Sequence, residues 1–433
     1  MLKEHINIKV ISAVASLIPI SVPYWEDFIL NKSIVYESFL PAIDEILRVY
    51  KFWLTREYRS HKNEWSADER AIGLDRAYRL ILQEDGALPE GIIAQIGALP
   101  IVERVRGLII GSAHIPVGIS SGILSLPGED PGAMIYLPYA RQWTKGSKKI
   151  RIAVLDTGVD INHPELKSCI VTHKDFVNLQ GLDTSTFIGE VMGMDDSHED
   201  KVGHGTHVTG IIAAKGLQME EGVAPDCSIL AVRVLAPMRS GNRIVGAGIV
   251  DNINNGIKWA VDNGADVINM SLGIKHTGGG LPHEDVVKYA IKKNVTIVAA
   301  SGNDGTAEMY YPAALDGVVA VGAVDYTGQV TGFTSYGAPI TTVAPGLHIY
   351  SSFPGGSYNY LSGTSQASPF VTGAIALMKS YALEQGKRLS NRQVEMLLRN
   401  SCDRLTDRVR DQRAGYGLIN LADAFKLLNN NIS

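Results

Sequence analysis

"KKIRIAVLDTGVD", residues 148–160, runs from two lysines through an apolar stretch and then turns sharply. Ile150 to Leu155 is strand-length and rich in branched side chains, with one charged residue, so it reads as a strand buried on both faces. Asp156, Thr157 and Gly158 end it in a turn. Similar runs follow in CSILAVRVL (227–235), ADVINMSLG (265–273), VTIVAASGN (295–303) and GVVAVGAV (317–324). Helical patterns lie between them, in VGAGIVDNINNGIKWAVDNG (245–264) and LPHEDVVKYAIKKN (281–294). Buried strands alternating with helices predict an α/β fold, a mostly parallel sheet with helices on both faces. Helices are also expected at 364–382, 391–401 and 421–428, and no internal repeat is present.

Working back from this core, GISSGILSLPGEDPGAMIYLP (118–138) is rich in Gly, Pro and Ser and reads as a linker. Residues 69–117 combine apolar runs at 78–82 and 102–111 with a short helix in PEGIIAQIGAL (89–99), a small α/β unit. Residues 1–68 read as a helical extension, with Trp25, Phe28, Ile29, Phe39, Ile43, Ile46 and Leu47 at helix-like offsets. The division expected is therefore 1–68, 69–117, 118–138 and 139–433.

The 433 residues are 45% hydrophobic and carry a net charge of −5, with no dense basic block, so a nucleic-acid partner is not expected. Three scattered cysteines, Cys169, Cys227 and Cys402, form neither a disulfide framework nor a thiolate zinc site. They favour a reducing compartment. The apolar run from Val10 to Val22, behind Lys3 and Lys9, has some features of a signal peptide. It is too short to span a membrane, and its small-residue site, Ala13-Val14-Ala15, falls inside the run. A cytoplasmic location is the expectation, with secretion as the alternative.

Functional groups in such sheets gather at the carboxyl ends of strands. Asp156 stands at one, where alone it is as well explained by an Asx turn. His204 and His207, in VGHGTHVTGIIAA (202–214), share one helix face as core histidines, as a base and a bystander, or as a zinc pair lacking further ligands. Ser365 lies in a Gly-Thr-Ser turn that opens an apolar helix, as an N-cap would or as a nucleophile beside the helix's free N–H groups would. Asn303 ends the strand of VTIVAASGN, terminating a turn or pointing an amide into a cleft. Together the four make a consistent set: an alcohol needs a base, the base an orienting carboxylate, and the oxyanion a donor.

The stretches VLDTGVDINHPEL (154–166), GHGTHVTG (203–210), NMSLG (269–273), AASGNDG (299–305) and GTSQASPFVTG (363–373) resemble, in that order, the signatures of the subtilisin-like serine proteases. The resemblance covers about 134–428. It implies a serine endopeptidase acting on polypeptides, in which Asp156 orients His204, His204 is general base and then acid, Ser365 attacks, and Asn303 with the Ser365 N–H holds the oxyanion. It further implies that Ser271, Leu272 and Gly273 form one substrate edge and pocket wall, and Arg239, Ser240 and Gly241 the other edge. Ala300 and Gly302 are small, which suggests a pocket for a sizeable side chain, with Asp304 on its rim favouring a basic group. The acidic stretch Asp195 to Asp200 reads as a solvated loop, a recognition site for basic residues, or a cation site.

Two departures stand out. Gln366 follows the serine where the family often has Met, predicting lower sensitivity to oxidation. KGLQMEEGVAP (215–225) replaces the family's Asn-rich calcium loop, so although Glu165 matches a calcium position, calcium is not expected there and is left open elsewhere. No cofactor is required for the chemistry. The N-terminal region resembles a self-cleaved propeptide that acts as an intramolecular inhibitor, with residues 1–68 as an extension or a docking module for a protein partner. The alternative function is a protease-fold regulatory or binding protein that cleaves only itself.

Overall fold

The computed structural model describes residues 4–30, 38–83, 87–88, 90–113, 130–177, 190–191, 199–240, 243–275, 280–337 and 339–432. Its centre is a seven-stranded sheet in the order Ile340–Pro345, Val319–Val324, Thr296–Ala300, Val267–Met270, Arg151–Asp156, Ser228–Arg233, Ile170–Asp175. Every neighbouring pair is parallel. Side chains alternate between the faces of a strand, and the apolar runs supply both. Ile152 and Val154 join the core beneath His204–Ala213 and Thr364–Glu384, while Ala153 and Leu155 join the core beneath Val250–Asp262 and Glu284–Lys292. The parallel, two-sided arrangement is the one expected from the sequence.

The N-terminal region departs from expectation. Residues 1–68 are not a helical extension: His5–Val10 and Phe52–Arg56 are strands. They combine with Ala77–Leu82 and Val102–Arg106 in an antiparallel sheet ordered Phe52–Arg56, Ala77–Leu82, His5–Val10, Val102–Arg106. A boundary at 68 is absent too, because the helix Ala67–Ile72 crosses it. The apolar run starting at Val10 obscures a strand whose period is two: Ile6, Ile8 and Val10 face a core shared with Ile43, Leu47, Ile92 and Ile96, and His5, Asn7 and Lys9 face the other way. Helices at Trp25–Leu30 and Pro41–Leu47 are present as the spacing predicts.

The polar face of this sheet lies against the helices Val250–Asp262 and Glu284–Lys292 of the larger unit. His5 Nε2 is 2.9 Å from Asp251, which also pairs with Arg106. Arg79 binds both Glu57 oxygens, at 2.8 and 2.9 Å, and reaches Asn252 at 3.2 Å. Arg104 and Lys9 both reach Asp285, at 2.5 and 3.3 Å.

Residues 118–129 of the expected linker lie outside the described residues. Its last part is not linker. Pro131–Met134 and Leu137–Ala140 are short helices, and Ile135 and Leu137 are buried in the main core. Among the described residues, no helix is long and apolar enough to cross a membrane.

Candidate active site

Asp156 is the last residue of its strand, and the backbone turns away at Thr157. His204 opens the helix His204–Ala213, and Ser365 lies in the first turn of Thr364–Glu384. His204 Nδ1 is 2.7 Å from Asp156 Oδ1, with both residues buried. A carboxylate only accepts, so Nδ1 carries the proton and Nε2 is the basic nitrogen. Nε2 is buried without a hydrogen-bond partner among the described residues. Burial, the largest single influence, disfavours the imidazolium, but the Asp156 charge, its hydrogen bond and Asp200 together raise the His204 pKa above its ordinary value. The Ser365 hydroxyl donates to the Ser271 carbonyl at 3.2 Å.

The close approach of these elements explains Gly205. A Cβ there would lie 2.1 Å from the Gly158 carbonyl oxygen and 3.0 Å from the Asp156 Cβ, so only glycine lets the helix meet the turn.

Asp200, expected in a solvated acidic loop, is buried at 4% exposure. It accepts from Thr157 Oγ1 at 2.7 Å, Gly203 N at 2.7 Å, Val202 N at 3.1 Å, and from Thr206 N and Oγ1 at 2.8 and 2.7 Å. Burial raises its pKa against those hydrogen bonds. Residues 195–198 of that stretch lie outside the described residues. Asp200 thus caps the His204 helix and ties it to the Asp156 turn, a role its acidic neighbours in sequence conceal.

His207 has a different environment. Its Nε2 lies 3.1 Å from the carbonyls of both Ile349 and Asn359, and burial followed by the nearby His204 lowers its pKa to about 3. It is a neutral donor holding the hairpin Ile349–Phe353/Ser357–Leu361, not half of a zinc pair.

Asn303 Oδ1 accepts from Thr364 N at 2.8 Å and Thr364 Oγ1 at 2.9 Å. The carbonyl end of the amide is therefore fixed toward the residue before Ser365, which identifies Nδ2 as the donating end. Thr364 is a positioning residue that the sequence reading missed. Ser271 supports the same turn from below: its hydroxyl donates to the Ser365 carbonyl at 2.8 Å and lies 2.8 Å from Ser368 Oγ.

Arg239 and Ser240, expected at the second substrate edge, do not lie in the strand that pairs with Ile110–Ala113. They belong to the strand Ala236–Ser240, and Gly241 lies outside the described residues. Between Ala236–Ser240 and Ile110–Ala113 lies the strand Arg243–Ile249. Ile110–Ala113 is inserted beside it, antiparallel, with Ala113 opposite Gly246, Ser112 opposite Ala247 and Gly111 opposite Gly248. On its other side Ser112 exchanges hydrogen bonds with Gly273, at 3.1 and 3.5 Å. The alternating glycines of "GAG" (246–248) were the available signal.

The pocket expectations also need correction. Asp304 is not an open carboxylate, because Lys275 Nζ lies 2.8 Å away and the Tyr310 hydroxyl donates to it. Beside Ala300 and Gly302 the Tyr310 side chain approaches both Gly302 and Gly273, closely enough that a Cβ on either glycine would crowd it.

Glu165 does not fit a calcium ligand. Its carboxylate accepts from Leu217 N at 2.9 and 3.0 Å, Gln218 N at 2.7 Å and the Tyr358 hydroxyl at 3.2 Å. Burial opposes this charge, but the backbone N–H groups outweigh it and lower the Glu165 pKa. Donor hydrogens surround the oxygens where a cation would need lone pairs.

The model of the subtilase family matches residues 147–417. The "Major intracellular serine protease" of Bacillus subtilis (strain 168) is 40% identical over 268 residues, 60% of this chain and 78% of that protein. Subtilisin Savinase of Lederbergia lenta is 38% identical over 273 residues, 63% of this chain and 88% of its own. Among solved structures, the prenylagaramide maturation protease PagA superposes with a TM-score of 0.55 at 30% identity, covering 70% of this chain and 99% of that one. With well over half of its length matched to the family and relatives named as serine proteases, the chain belongs to the subtilases, the subtilisin-like serine proteases.

Proposed function

We propose that the chain is a serine endopeptidase working through Asp156, His204 and Ser365, with an acyl-enzyme intermediate. The observation that carries this reading is the 2.7 Å contact of His204 Nδ1 with Asp156, which leaves the basic Nε2 without a hydrogen-bond partner among the described residues, while Ser365 lies in the first turn of its helix. A peptide lying between Gly273 and Gly246–Gly248 is held as an added strand by main-chain hydrogen bonds. Ser365 Oγ attacks the carbonyl carbon as its proton passes to His204 Nε2, and Asp156 stabilises the imidazolium. Negative charge on the carbonyl oxygen meets the Asn303 amide and the Ser365 N–H, aided by the helix N-terminus. His204 then protonates the leaving amine, and water hydrolyses the acyl-enzyme with His204 again as base.

The N-terminal unit is the enzyme's own inhibitor in this reading, because Ile110–Ala113 fills the strand position that a substrate needs. Self-cleavage then falls between Ala113 and Asp130, before the helices that belong to the main core. The same filled cleft supports the second reading, a protein that cuts only itself. A cytoplasmic location fits the three free thiols, each pushed up by burial: Cys169 and Cys402 to about 12 and Cys227 to about 11.

The test compares wild type with Ser365→Ala by intact mass, fluorophosphonate labelling and hydrolysis of denatured casein. Endopeptidase activity predicts labelling of Ser365, casein cleavage and a shortened wild-type chain beside a full-length variant. Shortening without casein cleavage selects the self-cutting reading, and no labelling rejects both.

A further inference from the structure

The two pocket walls end neighbouring parallel strands, Val267–Met270 and Thr296–Ala300, and each contains a glycine, Gly273 and Gly302. Glycines facing each other across a slot suit the entry of a flat side chain. In this chain the slot already holds one. A Cβ on Gly302 would lie 2.4 Å from Tyr310 Cδ2 and 2.6 Å from Cε2, and a Cβ on Gly273 would lie 3.1 Å from Tyr310 Cδ1. The ring therefore touches one wall with each edge, and the missing side chains of the two glycines make room for it.

Several contacts hold the ring there. Tyr310–Tyr311 pairs antiparallel with Ile274–Lys275, the strand that continues directly from Gly273. Tyr310 is 3% exposed. Its hydroxyl donates to Asp304, which is bridged by Lys275, and the Lys275 ammonium lies 5.6 Å from the ring centre and also pairs with Glu308. These contacts lie within the chain and need no substrate.

We propose that Tyr310 closes the primary specificity pocket, so that this protease cuts after Gly, Ala or Ser rather than after aromatic, long aliphatic or basic residues. The proposal rests on the endopeptidase reading above and names its substrate class. A large residue on the amino side of the cut bond must displace the ring, break its hydrogen bond to Asp304 and bring apolar surface into water. A small residue needs none of this. Forgoing the burial of a Phe-sized side chain corresponds to about a ten- to hundredfold loss in kcat/KM.

The experiment measures kcat/KM of the full-length protein on peptide anilides that differ only in the residue before the cut, Ala, Phe or Lys. The Ala-to-Phe ratio cancels the fraction of molecules whose cleft is still filled. Wild type should favour Ala at least about tenfold. Tyr310→Phe, which keeps the ring, should do the same, and Tyr310→Gly should reverse the order. A wild-type preference for Phe, or a ratio unchanged in folded Tyr310→Gly, overturns the proposal while leaving the peptidase intact. The wild-type ratio decides even where Tyr310→Gly does not fold. No hydrolysis of any peptide together with no fluorophosphonate labelling overturns the endopeptidase reading and this proposal with it.

Discussion

Thr157 and Asp200 meet through a 2.7 Å hydrogen bond that joins the turn after Asp156 to the start of the His204 helix. The Thr157 hydroxyl in turn accepts from Gly205 N at 3.0 Å, so two elements far apart in sequence are held in one register. Asp200→Ala leaves the N–H groups of Gly203 and Thr206 without their acceptor. Orphaned buried donors cost about 1–3 kcal/mol each, so a loss of about 3 kcal/mol in stability is expected with a drop in kcat. Thermal unfolding and steady-state kinetics check this; an unchanged melting temperature with normal kcat would rule out the positioning role.

The raised pKa of His204 sets the acid side of the pH profile. The general base must be neutral, so activity falls as pH drops through a value above the usual imidazole value of about 6.5. The same shift stabilises the fold while His204 is protonated, and that contribution is lost as pH rises through the raised value. Asp156→Asn removes the carboxylate that outweighs burial and should move the acid limb of kcat/KM downward. It should also lower kcat by about four powers of ten, a magnitude known for this residue in other serine proteases, subtilisin included. An acid limb that stays in place in the variant would contradict the assignment.

Asn303→Leu removes the amide donor while roughly keeping side-chain volume. In subtilisin itself, loss of such a donor costs about two to three powers of ten in kcat, and that magnitude is carried over here with KM little changed. Thr364→Val should cost less, about tenfold, because the Thr364 backbone N–H still holds Asn303 Oδ1 at 2.8 Å. Equal losses in KM and kcat for Asn303→Leu would point to ground-state binding instead.

Chelation should leave the loop at 215–225 intact, since Glu165 is satisfied by backbone N–H groups. Unfolding temperatures with and without EDTA should agree, and Glu165→Ala should destabilise by about 2 kcal/mol in either condition. An EDTA-induced fall in melting temperature that Glu165→Ala abolishes would reveal a cation at that carboxylate.

Asp251→Ala strands Arg106 and His5 in the buried seam beneath the N-terminal sheet. Breaking one side of a buried charge pair costs about 3–5 kcal/mol. If the N-terminal unit restrains the cleft, the variant should shorten the lag before casein hydrolysis begins. A lag equal to that of wild type, in a variant with lowered unfolding temperature, would separate stability from inhibition.

Much of the larger unit was legible from local pattern. Strand runs such as Ile150–Leu155 carry their period and their ends within a few residues, and Asp156, His204, Asn303 and Ser365 each sit in a stretch whose neighbours mark it. The N-terminal strand His5–Val10 was not legible, because an apolar run begins at its last residue and its partners are at 77–82 and 102–106. Asp200 looked like surface charge until Thr157 and Thr206 closed around it.

The sequence by itself determined the buried strands and the helices between them, and singled out the four residues proposed for the chemistry, because side-chain period and turn residues act over short distances. Only the tertiary structure decided that Gly246–Gly248, not Arg239 and Ser240, pairs with Gly111–Ala113, that Ser112 bonds to Gly273 on its other side, and that Tyr310 approaches both Gly273 and Gly302. Those facts depend on which remote segments share hydrogen bonds and volume, and such pairings exist only once the chain has packed.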